Sequence, residues 1–167
     1  EEVDCADVVI HAGDWVEPDL LDALEERSKR LVACWGNNDG DDLRALIPEV
    51  DRRTIEDVRV AVVHETGAKT GREKRADAAY PDVDLLVFGH SHIPWDTVTE
   101  RGMRLLNPGS PTDRRRMPTA TYLTLEVRNG ALTWAFEFEG QPYFAGFRAL
   151  ATNGVDLPVL NVFRMFS

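Results

Sequence analysis

The chain is poor in cysteine, in long apolar runs and in positive charge, and each shortage excludes something. Cysteine occurs twice in 167 residues, as Cys5 and Cys34. Two are too few for the disulfide framework of a small secreted domain, so both read as reduced thiols of an intracellular protein. No stretch approaches the roughly 18 uninterrupted apolar residues of a membrane-spanning helix, and no basic start leads into an apolar signal segment. A soluble, cytoplasmic protein is expected. The 19 Lys and Arg stand against 29 Asp and Glu, for a net charge of -10. That balance argues against sequence-blind attachment to nucleic acid or to an anionic membrane, and no sequence-specific nucleic-acid partner is expected. An anionic substrate would need local positive charge. Internal repeats and low-complexity tracts are also missing. What remains, 43% hydrophobic and 29% charged residues, suits one compact domain with a single sizeable core.

The most informative stretch is Val87-Phe88-Gly89-His90-Ser91-His92. It places two imidazoles one residue apart where the apolar run 83–88 stops. A buried parallel strand reads as a continuous apolar run, and ligands in open α/β sheets gather at the carboxyl ends of strands. Polar ligand types follow other apolar runs in the same way. The strand over 8–10 leads to His11-Ala12-Gly13-Asp14, and a helix opens after Glu17-Pro18 with Leu20, Leu21 and Leu24 on one face. The strand over 31–35 leads to Gly36-Asn37-Asn38-Asp39-Gly40, and residues 41–47 form a short helix closed by Pro48. The strand over 58–63 ends in His64-Glu65, followed by a Gly-, Lys- and Arg-rich loop over 66–79 that passes into a helix. A strand over 103–106 precedes Asn107-Pro108-Gly109-Ser110 and the basic run Arg114-Arg115-Arg116. Residues 122–127 and 131–138 flank Arg128-Asn129-Gly130, and Asn-Gly between alternating runs predicts a β-hairpin.

Asp14, Asn37, His64, His90 and His92 are oxygen and imidazole donors of the kind that suits manganese, iron, zinc or nickel, and a carboxylate can bridge two ions. A two-metal centre supports in-line displacement at phosphorus: a bridging water becomes hydroxide, and the ions stabilise charge on the attacking and leaving oxygens. It would also supply the positive field this acidic chain lacks. Other polar and aromatic residues near these loops have structural readings. His11 reads as a core or hydrogen-bonded residue. Trp15, Trp35 and Trp95 read as the rim of the core. Arg114 to Arg116 reads as a solvated loop from which one Arg could clamp a phosphate.

The ordered set Gly13-Asp14, Gly36-Asn37-Asn38-Asp39, His64, Gly89-His90-Ser91-His92 and Asn107-Pro108-Gly109-Ser110 resembles the calcineurin-like metallophosphoesterases, in particular the small YfcE-type phosphodiesterase branch. The resemblance implies a four-layer αββα sandwich around two divalent ions, manganese foremost, with iron, nickel or zinc as alternatives. Asp14 would bridge the ions, Asn37, His64 and His90 would complete one site, and His92 would serve the other. It further implies catalytic roles for Asn38 and Asp39, substrate contacts from Arg114 and Arg115, and hydrolysis of small phosphoesters by a metal-activated hydroxide. Three departures stand out. The family opens with an Asp-x-His motif that this chain does not show before Asp14, so a sandwich lacking its first βα unit is expected. The strand-end His64 is followed by Glu65 where the family has Gly. Asn38 stands where related subfamilies place a histidine.

A domain over 1–139 is therefore expected, with an anomalous apolar tail over 140–167 that carries four of the seven Phe. The exposed edge left by the missing unit makes a homo-oligomer possible. The family is similar also to a retromer subunit that keeps the fold for protein binding, so a catalytically degenerate scaffold is the alternative function.

Overall fold

The computed structural model describes residues 2–138; the tail expected over 140–167 lies outside the described residues. In chain order the elements are α1 (Glu2–Cys5), β1 (Val9–Ala12), α2 (Pro18–Arg27), β2 (Leu31–Cys34), α3 (Asp41–Leu46), β3 (Val50–Ile55) and β4 (Val58–Val63). They continue with α4 (Arg72–Ala79), β5 (Leu85–Phe88), β6 (Trp95–Val98), β7 (Arg104–Asn107), β8 (Thr121–Arg128) and β9 (Ala131–Phe138). A five-stranded sheet has the order β3-β4-β5-β7-β6, while β1-β2 and β8-β9 form two-stranded ladders. Strands β4, β5 and β7 run parallel; β3 and β6 are antiparallel to their neighbours and close the two edges.

The period of two along each strand sorts the apolar residues into layers. Val58, Val60 and Val62 of β4 and Leu85 and Val87 of β5 join Val32 and Cys34 of β2 in one core, on which Leu123, Leu125, Leu132 and Trp134 of the hairpin also pack. The alternate residues Ala61, Val63, Leu86, Phe88 and Leu105 face the other way, onto Ala76 of α4. A third cluster holds Ala33 of β2 against Leu21 of α2, Leu43 of α3 and Trp15. The succession is helices, a sheet layer, the five-stranded sheet and a helix, the mixed α/β architecture expected. Each fully buried Val, Leu or Phe stabilises by roughly 1.5–3 kcal/mol. A one-residue slip of β4 would exchange its two cores, which is why its register is specified.

The two edge strands, β3 and β6, are absent from the sequence reading. Their sequences, Val-Asp-Arg-Arg-Thr-Ile and Trp-Asp-Thr-Val, carry no apolar run, and Arg52, Arg53, Thr54 and Val98 are exposed. An edge strand buries little, so it leaves little apolar signature. The β8-β9 turn behaves as its sequence predicts: Asn129 and Gly130 both have positive φ, 50° and 73°, as a type I′ turn requires. Among the described residues no helix is long and apolar enough to cross a membrane.

Candidate active site

Four strands deliver the candidate ligands from one edge. Asp14 lies just past β1, Asn37 just past β2, His64 immediately after β4, and His90 and His92 just past β5. Asp14, His90 and His92 have φ of 62°, 63° and 56°. Non-glycine residues rarely occupy this left-handed region, at a cost of order 1–3 kcal/mol each, and such strain clusters at functional sites. The loops converge because glycines leave room between them. At Gly36 a Cβ would lie 2.3 Å from the Asp14 amide nitrogen, and at Gly13, with φ of 89°, one would lie 2.6 Å from His64 Nδ1.

The side-chain amide oxygen of Asn37, Oδ1, is the centre of the convergence. It lies 3.0 Å from His64 Nε2 and 2.9 Å from His90 Nδ1. His64 Nε2 is 3.2 Å from His90 Nδ1 and 3.4 Å from Asp14 Oδ2. The tautomer of His64 follows from its other nitrogen: Nδ1 is 2.7 Å from the Ala12 carbonyl oxygen, which only accepts, so Nδ1 carries the proton and Nε2 offers a lone pair. The Asn37 amide donates to Asn38 Oδ1 at 3.1 Å, which turns its oxygen toward the histidines. Two acceptors, Asn37 Oδ1 and His64 Nε2, thus face His90 Nδ1, which has at most one proton to share between them while neutral, and Asp14 Oδ2 adds a third lone-pair atom beside His64 Nε2.

A cation would resolve that arrangement. Ligands at about 2.0–2.1 Å from one ion stand about 3.0–3.4 Å from one another, the spacing these donor atoms already have. A ligating His that donates its other N–H to a backbone carbonyl is the usual pattern of metal sites. Among the described residues no group of three or more His, Cys, Asp or Glu side chains is in metal-holding geometry by itself. The set closes only when the Asn37 oxygen is counted, and the donors present then fit a divalent ion.

His92 is not hydrogen-bonded to this set. Its Nδ1 donates to the Asp113 carbonyl oxygen at 2.6 Å and lies 3.4 Å from the Asp113 carboxylate, which leaves Nε2 as its lone-pair nitrogen. Asn38, expected to be catalytic, is engaged with Asp14 through both its amides. Asp39 is buried, and its two oxygens accept from the Val16 and Gly36 amides at 2.9 and 2.6 Å. That clamp joins the loops carrying Asp14 and Asn37. Arg114 donates to the Pro118 carbonyl, while Arg115 lies 3.7 Å from the Asp113 carboxylate; both are exposed.

Residues 1–130 match the family model described as the calcineurin-like phosphoesterase superfamily domain. The chain belongs to this superfamily. It is 31% identical over 143 residues to a probable metallophosphoesterase of Methanocaldococcus jannaschii, an alignment covering 77% of this chain and 65% of that protein. The solution structure of a Thermotoga maritima protein is similar at 31% identity and a TM-score of 0.63, covering 79% of this chain and 80% of that one. Zinc-complexed Vps29 of Entamoeba histolytica shares the fold at 21% identity and a TM-score of 0.67, covering 80% of this chain and 77% of the other.

Several supports of this calcineurin-like site are not legible as functional in the sequence. The Ala12 carbonyl and Asp113 fix the two histidine tautomers, yet a backbone oxygen has no sequence signature and Asp113 lies 21 residues from its partner. Asn107 donates to the Gly89 carbonyl at 2.6 Å and to Ser91 Oγ at 3.2 Å, bracing the histidine loop. Its motif is visible in the sequence; its role is not. His11 stacks on Trp15 at 3.8 Å between ring centroids, and its Nδ1 is buried without a partner. Burial pushes its imidazole down to about 4, against the opposing pull of Asp39 and Asp14.

Proposed function

We propose that the chain is a metal-dependent phosphoesterase that hydrolyses small phosphodiesters or phosphomonoesters. The convergence of Asp14, Asn37, His64 and His90 on one point carries this reading, and the superfamily supplies the reaction class. Those four residues would hold one divalent ion; Asp14 and His92 Nε2 would serve a second, with manganese the first choice and iron, nickel or zinc the alternatives. Such ions, when bound, activate water and neutralise charge developing on phosphoryl oxygens.

The chain's own residues orient and exclude. Asn38 fixes both oxygens of Asp14, which sets the direction of the carboxylate, and Asp39 holds the two ligand loops at their spacing. Both act as positioning groups, because their polar atoms are committed to Asp14 and to backbone amides. With an amide where a protonating histidine would stand, the chain favours leaving groups that depart without a proton, such as aryl oxides. Arg115, 3.7 Å from the Asp113 carboxylate that flanks His92, would meet an anionic substrate.

Hydrolysis of an aryl phosphodiester, measured with manganese and with EDTA, tests the proposal. Turnover that requires manganese and vanishes with EDTA supports it. No turnover with manganese, iron, nickel or zinc overturns it in favour of a non-catalytic scaffold.

A further inference from the structure

The loop after His64 and the first turn of α4 carry a group of cations that the site above does not use. Lys69, Arg72, Lys74 and Arg75 fall within seven positions of a chain whose net charge is -10. Arg72 is 7% exposed, yet its guanidinium has no carboxylate partner among the described residues. Nη2 makes one long contact, 3.4 Å to the Gly67 carbonyl, and Nε is buried without a partner. Its Cζ lies 4.7 Å from the ring centres of both Phe88 and Trp95, and Lys69 Nζ lies 4.9 Å from the Trp95 ring.

Stacking on aromatic faces offsets only part of the cost of taking a guanidinium out of water. The nearest acid on the same helix is engaged elsewhere: Trp95 Nε1 donates to Thr97 Oγ1, and that hydroxyl donates to Glu73 Oε1, each at 2.9 Å. This chain of bonds locks the indole and commits Glu73 Oε1 to Thr97, so that Glu73 acts on the guanidinium as a nearby charge without pairing with it. The cluster also borders the ligand loops. Phe88, on which Arg72 lies, is paired in register with Val63, the residue before His64, and stands two residues before His90. Trp95 is paired with Asn107, whose side chain braces the Gly89–Ser91 loop. Gly67, which receives Arg72, is three residues past His64.

We propose that Lys69 and Arg72, held on the Trp95 ring, form an anion subsite beside the ligand loops that binds a second phosphate of the substrate. The favoured substrate class is then a phosphodiester carrying a further phosphate on its retained or leaving portion. A planar guanidinium stacked on two rings is prepared for phosphate, and Lys69 adds a second charge on the Trp95 ring. This specificity rests on the phosphoesterase reading above; the subsite itself does not.

Two measurements separate the two claims. In the first, EDTA-treated protein is titrated with inorganic phosphate while the Arg72 Nε–H and Trp95 indole N–H signals are followed by NMR. Both signals shift saturably in the native chain. Lys69→Gln weakens the apparent affinity about tenfold, as expected for one charge-assisted contact, whereas Lys74→Gln, an equal loss of charge with no ring contact, leaves it unchanged. No shift in the native chain, or equal weakening by both variants, overturns the subsite. In the second, kcat/KM is compared for an aryl phosphodiester of a nucleoside with and without a second phosphate on its ribose. Lys69→Gln lowers the preference for the doubly phosphorylated compound about tenfold and leaves the other unchanged. Equal loss on both compounds overturns the specificity. If neither is hydrolysed while the phosphate-induced shifts persist, the phosphoesterase reading fails and the subsite stands.

Discussion

Asn38 grips both oxygens of Asp14: its backbone N–H donates to Oδ1 and its side-chain amide to Oδ2, each at 3.0 Å. The two bonds fix the direction of the carboxylate. Asp14→Asn removes the charge that would hold the ions, and metal-dependent hydrolysis of an aryl phosphodiester should fall to background. Asn38→Ala keeps the charge but releases one oxygen, and metal affinity measured by calorimetry should drop about 10- to 100-fold, the usual effect of losing a partner that orients a ligand. Arg115→Ala, at an exposed and replaceable contact, should change turnover several-fold at most. Full activity in the Asp14 variant refutes the site.

Gly36→Ala tests the crowding of the ligand loops. The added methyl would meet the Asp14 amide and carboxylate at 2.3 Å, so the loop carrying Asp14 must move while the cores beneath stay packed. Activity should fall at least tenfold, since small misplacements of reacting groups are costly, with far-UV circular dichroism unchanged. An active Gly36→Ala protein would mean that the Asp14 loop has slack to spare.

The pH dependence of stability should carry the signature of His11. Its folded-state value near 4 lies below the ordinary 6.5 because burial disfavours the charged ring. Between those two pH values the unfolded chain binds more protons than the folded one, so stability falls as pH drops from 6.5 toward 4 and is unaffected by this group above 6.5. The loss by pH 4 is about 3 kcal/mol. His11→Phe keeps a ring against Trp15 and cannot titrate, so thermal unfolding followed from pH 7 to pH 4 should show a flatter slope. An unchanged slope would assign the effect elsewhere.

The two thiols should differ in reactivity. Cys34 is buried, and that burial, foremost, pushes its thiol up to about 12, whereas Cys5 is exposed. A thiol-specific chromogenic reagent at pH 8 should label one site per native chain and two after unfolding, since the thiolate is the reacting species. Two fast sites in the native protein would contradict the core packing around β2.

What the sequence disclosed and what it withheld follow from one physical distinction. Strands β4 and β5 are buried on both faces, so their residues form the apolar runs that locate His64, His90 and His92. Strands β3 and β6 lie at the sheet edges and look like loops in sequence. Asp14, Asn37, His64 and His90 are visible as donor types at strand ends. Their supports are less visible: Asp39 stands in its motif, but its clamp, like the contacts of Asp113 and the Ala12 carbonyl, depends on how distant loops meet. The Arg72 stack is hidden for the same reason: its partners Phe88 and Trp95 are 16 and 23 positions away.

Asp14, Asn37, His64 and His90 are proposed to enclose a divalent ion. Anomalous diffraction at the manganese edge, from crystals of the chain grown with manganese, tests it most directly. A peak is expected within bonding distance of His64 Nε2, His90 Nδ1, the Asn37 amide oxygen and the Asp14 carboxylate. Manganese at saturating concentration with no peak among these four, or with its only peak elsewhere on the protein, would contradict it.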